Sequence, residues 1–211
     1  MKSATGRLGL LFAAVVALVW TGAAQAAAPW SAFGNAESVK VDKDWAIALT
    51  SDLSSSNTDD WYGGVAFSPR KGLTFSGIKQ LSADYMLAAG TLGGGSPRFQ
   101  INIGDGDGNF VGNVFVYLGT PPNFMDDTQG WQSSGNLIKA TDLRYDTSQV
   151  GGTFYDDYAG AVDLVGNAEV LGIQLVVDGG WGPWADGGVQ SVFVDDVRVN
   201  NFKLSAKGFK K

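Results

Sequence analysis

Residues 170–199 decide the fold: they read VLGIQLVVD at 170–178, GGWGPWADGG at 179–188 and VQSVFVDDVRV at 189–199. Two runs rich in β-branched residues flank a glycine-rich loop, which predicts two antiparallel strands joined as a hairpin. Earlier in the chain, many short alternating segments are separated by glycine-rich turns, as in proteins built from two packed sheets. We therefore predict an all-β protein, a two-sheet antiparallel β-sandwich of jelly-roll type.

One short helix is predicted within this sandwich, at residues 157–165. Asp156 or Asp157 can cap its amino end, and Gly166 can end it in the left-handed conformation. No internal repeat and no interdomain linker is visible, so a single domain is expected.

The amino terminus has the parts of an export signal in the right order. Lys2 and Arg7 supply positive charge, residues 8–20 are uncharged and mostly apolar, and residues 24–26 (AQA) form a small-x-small cleavage site. We predict a signal peptide at 1–26, a β-sandwich domain at 27–202 and a flexible basic tail at 203–211. The mature protein is then secreted, to the periplasm or the medium, without a membrane span.

The composition excludes several kinds of chemistry. The chain has no His and no Cys, which rules out histidine-based triads, histidine-ligated zinc or copper, and disulfides. The formal net charge is -6, and loss of the two positive charges of the signal gives -6 - 2 = -8. Such an acidic protein is not expected to bind nucleic acid or an anionic membrane. Calcium, bound through oxygen ligands, remains available.

Aromatic residues in predicted loops are the main candidates for ligand binding: Trp61, Tyr62, Trp131, Trp181 and Trp184. Sugar rings present C–H faces that pack on aromatic rings, and a neighbouring acid such as Asp186 can accept hydrogen bonds from hydroxyls. Arg98, at the start of a predicted strand, is a candidate anchor for a ligand carboxylate. The alternatives are that the tryptophans close the ends of the core and that Arg98 pairs with a nearby Asp.

Two further patterns concern metal binding and catalysis. Asp105, Asp107 and Asn109 place oxygens at alternate positions, as at the start of a calcium loop, but Phe110 stands where that loop needs Gly. A hairpin turn between two strands predicted at 98–103 and 110–118 explains the same residues. The adjacent acids at 126–127 and 156–157 are candidates for the carboxylate pair of a glycoside hydrolase, although no local catalytic signature accompanies them.

The stretch VFVDDVRV at 192–199 resembles the closing strand of jelly-roll carbohydrate-binding modules. GGGSPRF at 93–99, followed by GNVFVY at 112–117, is similar to secreted bacterial sandwich proteins. The first resemblance implies a glycan-binding face or loop rim. It often implies a structural calcium as well, held by an acid near the first strand and an Asp of the closing strand. Glu37 and Asp195 or Asp196 occupy those positions in this sequence.

The predicted partner is therefore a glycan or cell-surface polysaccharide, bound without catalysis. Two alternatives stay open. One is an extracellular structural or interaction protein without a sugar site, and the other is a carboxylate-dependent polysaccharide hydrolase or lyase. Tryptophans exposed along a groove would favour binding, and buried tryptophans would favour the structural alternative.

Overall fold

The structure of the protein, a computed structural model, describes residues 29–125, 127, 129–181, 187–207 and 209, with residue 181 described by its backbone. The predicted signal peptide at 1–26 lies outside the described residues. Within the described residues the fold is a two-sheet antiparallel β-sandwich with one α-helix, as predicted. The elements are β1 (Trp30–Gly34), β2 (Ala36–Val41), β3 (Asp44–Asp52), β4 (Gly63–Phe67), β5 (Leu81–Ala89), β6 (Arg98–Gly104), β7 (Phe110–Tyr117), β8 (Gln132–Ser133), β9 (Tyr145–Asp146), α1 (Tyr158–Val165), β10 (Glu169–Val177), β11 (Val189–Val199) and β12 (Phe202–Lys203).

The strand order is that of a jelly roll. Sheet A has the order β1-β4-β10-β6-β7-β9, and sheet B has the order β2-β3-β11-β5-β8, with β12 paired to β11. Leaving out β1, β2, β9 and β12 and renumbering the rest from one to eight gives 2-7-4-5 in sheet A and 1-8-3-6 in sheet B. This interleaving of two four-stranded sheets is the jelly-roll arrangement.

Alternation along the strands separates an inner from an outer face. In β6, Phe99, Ile101 and Ile103 are buried, whereas the residues between them are partly exposed. Side chains of a strand point to opposite faces in turn, so these apolar residues meet those of sheet B in one core. Val192 and Val194 of β11 are fully buried on the other side of it.

The last two long strands do not form a hairpin, and that part of the sequence-based prediction is wrong. β10 lies between β4 and β6 in sheet A, whereas β11 lies between β3 and β5 in sheet B. The chain between them therefore passes from one sheet to the other, which stand about 10 Å apart in a sandwich. The long glycine-rich connection suits that crossing better than a hairpin, which is usually closed by two to five residues.

Helix α1 begins as predicted but ends differently. Asp157 caps it, with Oδ1 accepting from the Gly160 N–H at 2.9 Å. Gly166 has φ -54°, so the predicted left-handed cap is wrong. A Cβ at Gly166 would press against the Val162 carbonyl oxygen, to which the Gly166 N–H donates at 2.8 Å. Glycine is therefore needed for space and not for a positive φ.

The packed part of the chain continues beyond residue 202. Lys203 closes β12 against β11, and Leu204 and Ala206 are buried. None of the helices in the described part of the chain has the length and apolar character needed to cross a membrane.

Candidate functional site

The outer face of sheet A carries polar and aromatic side chains in aligned rows. The register places Gln174 of β10 opposite Gln100 of β6, and Gln100 opposite Phe115 of β7. In the adjacent rows, Arg98 lies opposite Tyr117, and Asn102 lies opposite Asn113. We call this surface the A face; its members are Arg98, Gln100, Asn102, Asn113, Phe115, Tyr117 and Gln174.

A pocket of about 230 Å³ lies at the Arg98 end of the A face. We call it the A pocket; it is lined by Gly94, Gly95, Arg98, Phe115, Tyr117, Asp146, Phe154 and Asp178. Phe154, at 64% exposure, is the most exposed large apolar side chain of the described residues. It stands on the segment that returns to β9, where the Thr147 N–H donates to the Thr153 carbonyl at 2.8 Å. That segment carries the exposed ring to the edge of sheet A.

Arg98 is held by Asp178 through two parallel hydrogen bonds. Nη1 donates to Oδ1 at 2.6 Å and Nη2 donates to Oδ2 at 2.7 Å. Nη1 also donates to the Gly95 carbonyl at 3.0 Å, and the guanidinium lies 4.8 Å from the Phe115 ring centroid. The alternative for Arg98, an ion pair with an Asp, is thus present, and the charge of Arg98 is matched within the protein.

A buried hydrogen-bond network holds the backbone of Asp178 in place. The Asp178 N–H donates to Ser96 Oγ at 3.0 Å, and Ser96 Oγ donates to Gln190 Oε1 at 2.5 Å. Gln190 is fully buried, and its Nε2 donates to the carbonyls of Thr91 and Ser96 at 2.8 and 3.1 Å. The β5–β6 connection and the start of β11 are therefore joined beneath the A pocket.

Tyr117 and Asp146 form the second anchored pair of the A pocket. Asp146 is 3% exposed; its Oδ2 accepts from the Tyr117 hydroxyl at 2.7 Å, and its Oδ1 accepts from the N–H and hydroxyl of Ser148. Burial is the main cause of a raised pKa of Tyr117, and the hydrogen bond to Asp146 raises it further. Gly95, with φ +79°, leaves room for the Tyr117 ring, which a Cβ there would approach to 3.0 Å.

Gln100 and Gln174 differ from the rest of the A face. No described residue forms a hydrogen bond with either side-chain amide, and both residues are partly exposed. By contrast, Asn102 Nδ2 donates to Asn113 Oδ1 at 2.8 Å, and Asn113 Nδ2 donates to Gln149 Oε1 at 2.9 Å. A side-chain amide offers both donors and an acceptor. Two adjacent amides are therefore available to a ligand.

The predicted loop aromatics Trp61 and Tyr62 lie at the same end of the sandwich as Arg98. They are 43% and 39% exposed, and Trp61 Nε1 donates to the Ser55 carbonyl at 3.1 Å. Ser51 Oγ donates to the Trp61 carbonyl and accepts from the Gly180 N–H, at 2.7 and 2.9 Å. The start of the loop at 179–188 therefore lies against the Trp61 loop. Trp184, Asp186 and the side chain of Trp181 lie outside the described residues.

Trp131 lies apart from the other predicted aromatics, on the outer face of sheet B. It is 44% exposed and borders a pocket of about 310 Å³. Asp84 and Asp195, which also line this pocket, stand directly opposite each other on β5 and β11. The structure does not bring Trp131 together with Arg98 and the A face.

The three predicted calcium ligands are spread over sheet B. Glu37 pairs with Ala48 on β3, and Ala48 pairs with Phe193, two residues before Asp195. Strand β3 lies between Glu37 and Asp195, and with the offset of two residues along β11 their backbones are about 12 Å apart. The Asp196 carboxylate forms ion pairs with Lys203 and Arg198, and hydrogen bonding from Lys203 is the main cause of its lowered pKa. No group of three acidic residues in the described segments is arranged to hold a metal ion. Calcium binding stays a prediction.

The other acidic patterns have local roles. Asp105 Oδ1 accepts from the N–H groups of Asp107 and Asn109 at 2.9 and 2.8 Å, and the hydrogen bonds from Asn109 hold the pKa of Asp105 below its usual value. These hydrogen bonds form a tight turn between β6 and β7, as the hairpin-turn alternative predicts. Asp156 accepts from Thr147 Oγ1, and Asp157 caps α1. Asp126 lies outside the described residues.

Several residues of the A face and the A pocket were not predicted from the sequence, among them Gln100, Gln174, Phe115, Asp146 and Phe154. Strand alternation from Arg98 onward would have placed Gln100 outward, and the correctly predicted β6–β7 hairpin would have set Phe115 beside it. No local signal places Gln174 next to Gln100, because β10 reaches β6 only through the jelly-roll topology.

Comparisons with known proteins identify no family. No protein-family model matches the chain, and no curated protein matches it. Two solved structures are similar in fold: an agarase, at TM-score 0.39 and 15% identity over 84% of this chain and 22% of that chain, and an exo-β-agarase, at TM-score 0.40 and 13% identity over 88% and 24%. The chain spans less than a quarter of the length of these structures. Similarity at this level bears on neither activity nor substrate.

Proposed function

We propose that the protein is an exported, noncatalytic carbohydrate-binding β-sandwich and that the A face is its sugar-binding surface. The observation that carries this proposal is the pairing of the two unengaged amides, Gln100 and Gln174, beside the Phe115 ring. A sugar hydroxyl both donates and accepts hydrogen bonds, so it can use both groups of an amide. The C–H face of the sugar ring can pack on an aromatic ring.

The exposed ring of Phe154 supports the same proposal. A large apolar side chain left 64% exposed at the rim of a pocket gains little from the protein core. The rings of Trp61 and Tyr62 are further exposed aromatic side chains at the same end of the sandwich. Their exposure favours binding over the alternative in which they close the core.

The carboxylates of the A pocket favour binding over hydrolysis. A glycoside hydrolase needs two carboxyls that can exchange a proton with the glycosidic bond and activate or replace water. Asp178 is engaged by Arg98, and Asp146 is engaged by Tyr117 and Ser148. Both groups position other side chains of the A pocket.

A glycan-array screen of the mature protein, followed by titration calorimetry on the tightest binder, tests the proposal. Phe154→Ala should weaken binding by on the order of 1–3 kcal/mol, the scale of a buried ring, and should leave the melting temperature nearly unchanged. Phe110→Ala is the matched control, because Phe110 is 57% exposed at the far end of β7. Equal affinities of the two variants, or no binding to any glycan, would refute the proposal.

A further inference from the structure

We propose that the A pocket takes neutral sugar chains and discriminates against carboxylated or sulfated ones, with Asp178 as the specificity-determining residue. This inference rests on the proposed function, because it concerns the ligand of the same surface.

The described lining of the A pocket carries more negative than positive charge. Arg98 is its one cation, whereas Asp146 and Asp178 are acids, so the formal sum is 1 - 2 = -1. The Arg98 and Asp178 side chains are 16% and 30% exposed, so solvent screens this pair less than it would screen a surface pair. An anionic group entering the pocket would meet two carboxylates and one cation that is already neutralised.

The hydrogen-bonding capacity of Arg98 leads to the same result. A guanidinium has five N–H donors, and the bonds to Asp178 and Gly95 use three of them. The face of the guanidinium is covered by the Phe115 ring. Asp178 thus fills the edge formed by Nη1 and Nη2, and a uronate or sulfate would have to use the two remaining donors, on Nε and Nη2, of a cation whose charge Asp178 already neutralises.

Neutral hydroxyls meet no such competition. They can use the free amides of Gln100 and Gln174 and the donors that remain on Arg98, with no charge to desolvate. A third carboxylate, brought by the ligand to Asp146 and Asp178, would be opposed by like-charge repulsion. We therefore expect a carboxylated ligand to bind at least about tenfold more weakly than its neutral counterpart.

The test uses one polysaccharide in two forms. The neutral polysaccharide that binds best in the screen is compared with the same material after oxidation of its primary hydroxyls to carboxylates. The neutral form should bind at least about tenfold more tightly, and its affinity should be nearly independent of salt. Equal or tighter binding of the oxidised form, or a screen in which only anionic glycans bind, would overturn the inference while leaving carbohydrate recognition standing. Failure of every glycan to bind would overturn both.

The variant Asp178→Asn tests the assigned residue. Release of the Arg98 guanidinium should raise affinity for the oxidised polysaccharide by about tenfold relative to wild type, and added salt should reverse this gain. Asp107→Asn is the control, because it removes the same charge at the β6–β7 turn, at the opposite end of β6 from Arg98. An equal gain in both variants would show a general charge effect and contradict the role of Asp178. If Asp178→Asn fails to fold, the affinities of the wild-type protein for the neutral and the oxidised polysaccharide still test the preference for neutral chains.

Discussion

Tyr145 is among the largest fully buried side chains and carries a polar group into the core. Its hydroxyl donates to the Leu137 carbonyl at 2.9 Å, and its ring packs against Phe75 and Tyr158 with centroids 6.4 and 5.9 Å away. Burial raises the pKa of Tyr145 well above its ordinary value. The native protein therefore keeps this phenol protonated at a pH where the unfolded chain has begun to ionise it.

The resulting pH dependence has a definite sign. The unfolded phenol ionises near pH 10, so above that pH the unfolded state binds fewer protons than the native state and stability falls as pH rises. Tyr145→Phe should cost about 1 kcal/mol at neutral pH, from the lost hydrogen bond, and should make the alkaline fall less steep. Chemical denaturation of both proteins between neutral pH and pH 11 measures this. Parallel stability curves across that range would contradict the prediction.

At single positions, the sequence indicates the kind of side chain but not its partner. Arg98 was predicted as an anchor for a ligand carboxylate, with an ion pair as the alternative; Asp178, which forms that ion pair, is distant in the chain. The outward position of Gln100 follows from strand alternation alone. Whether its amide has a protein partner depends on the neighbouring strands, which come from three parts of the chain. Local sequence propensities therefore cannot predict it.

At the scale of elements, Gln190 joins β11 to the connection before β6. Gln190→Ala would leave the Thr91 and Ser96 carbonyls and the Ser96 hydroxyl without this partner in a buried site. We expect a loss of about 2–4 kcal/mol in the free energy of unfolding, since each unsatisfied buried group carries its own desolvation cost. Gln174→Ala is the control and should change stability little. Urea denaturation that gives the two variants the same stability would disprove this role of Gln190.

Local patterns predicted some elements and failed for others, for one physical reason. The β6–β7 hairpin and the start of α1 depend on neighbouring residues, namely a short Asp-Gly turn and an Asp cap, and both were predicted correctly. The pairing of β10 and β11 depends on which sheet each strand joins. Both strands are rich in apolar residues, and each pairs with a strand on either side. Their composition is therefore equally compatible with a hairpin and with a connection between the two sheets.

For the molecule as a whole, the sandwich and its jelly-roll character could be predicted, but the A face could not. Its rows combine β10, β6 and β7, whereas the predicted site relied on loops. The aromatics of those loops do converge in part: Trp61 and Tyr62 share an end of the sandwich with Arg98, while Trp131 lies on the other sheet.

The predicted calcium can be tested on the whole molecule. A cation that binds only the folded state raises its stability by mass action. If Glu37, Asp195 or Asp196 contribute to such a site, millimolar calcium should raise the melting temperature and a chelator should reverse the change. An unchanged melting temperature would count against a structural calcium.

The proposed sugar specificity and the role of Asp178 both depend on carbohydrate binding by the A face. Backbone-amide NMR of the mature protein, titrated with the tightest neutral glycan from the screen, tests it most directly. We expect the largest chemical-shift changes around Gln174, Gln100 and Phe115, with smaller ones near Phe154 and Tyr62. Changes confined to the Trp131 pocket on sheet B, or absent from β10, β6 and β7, would show that the A face does not bind the glycan.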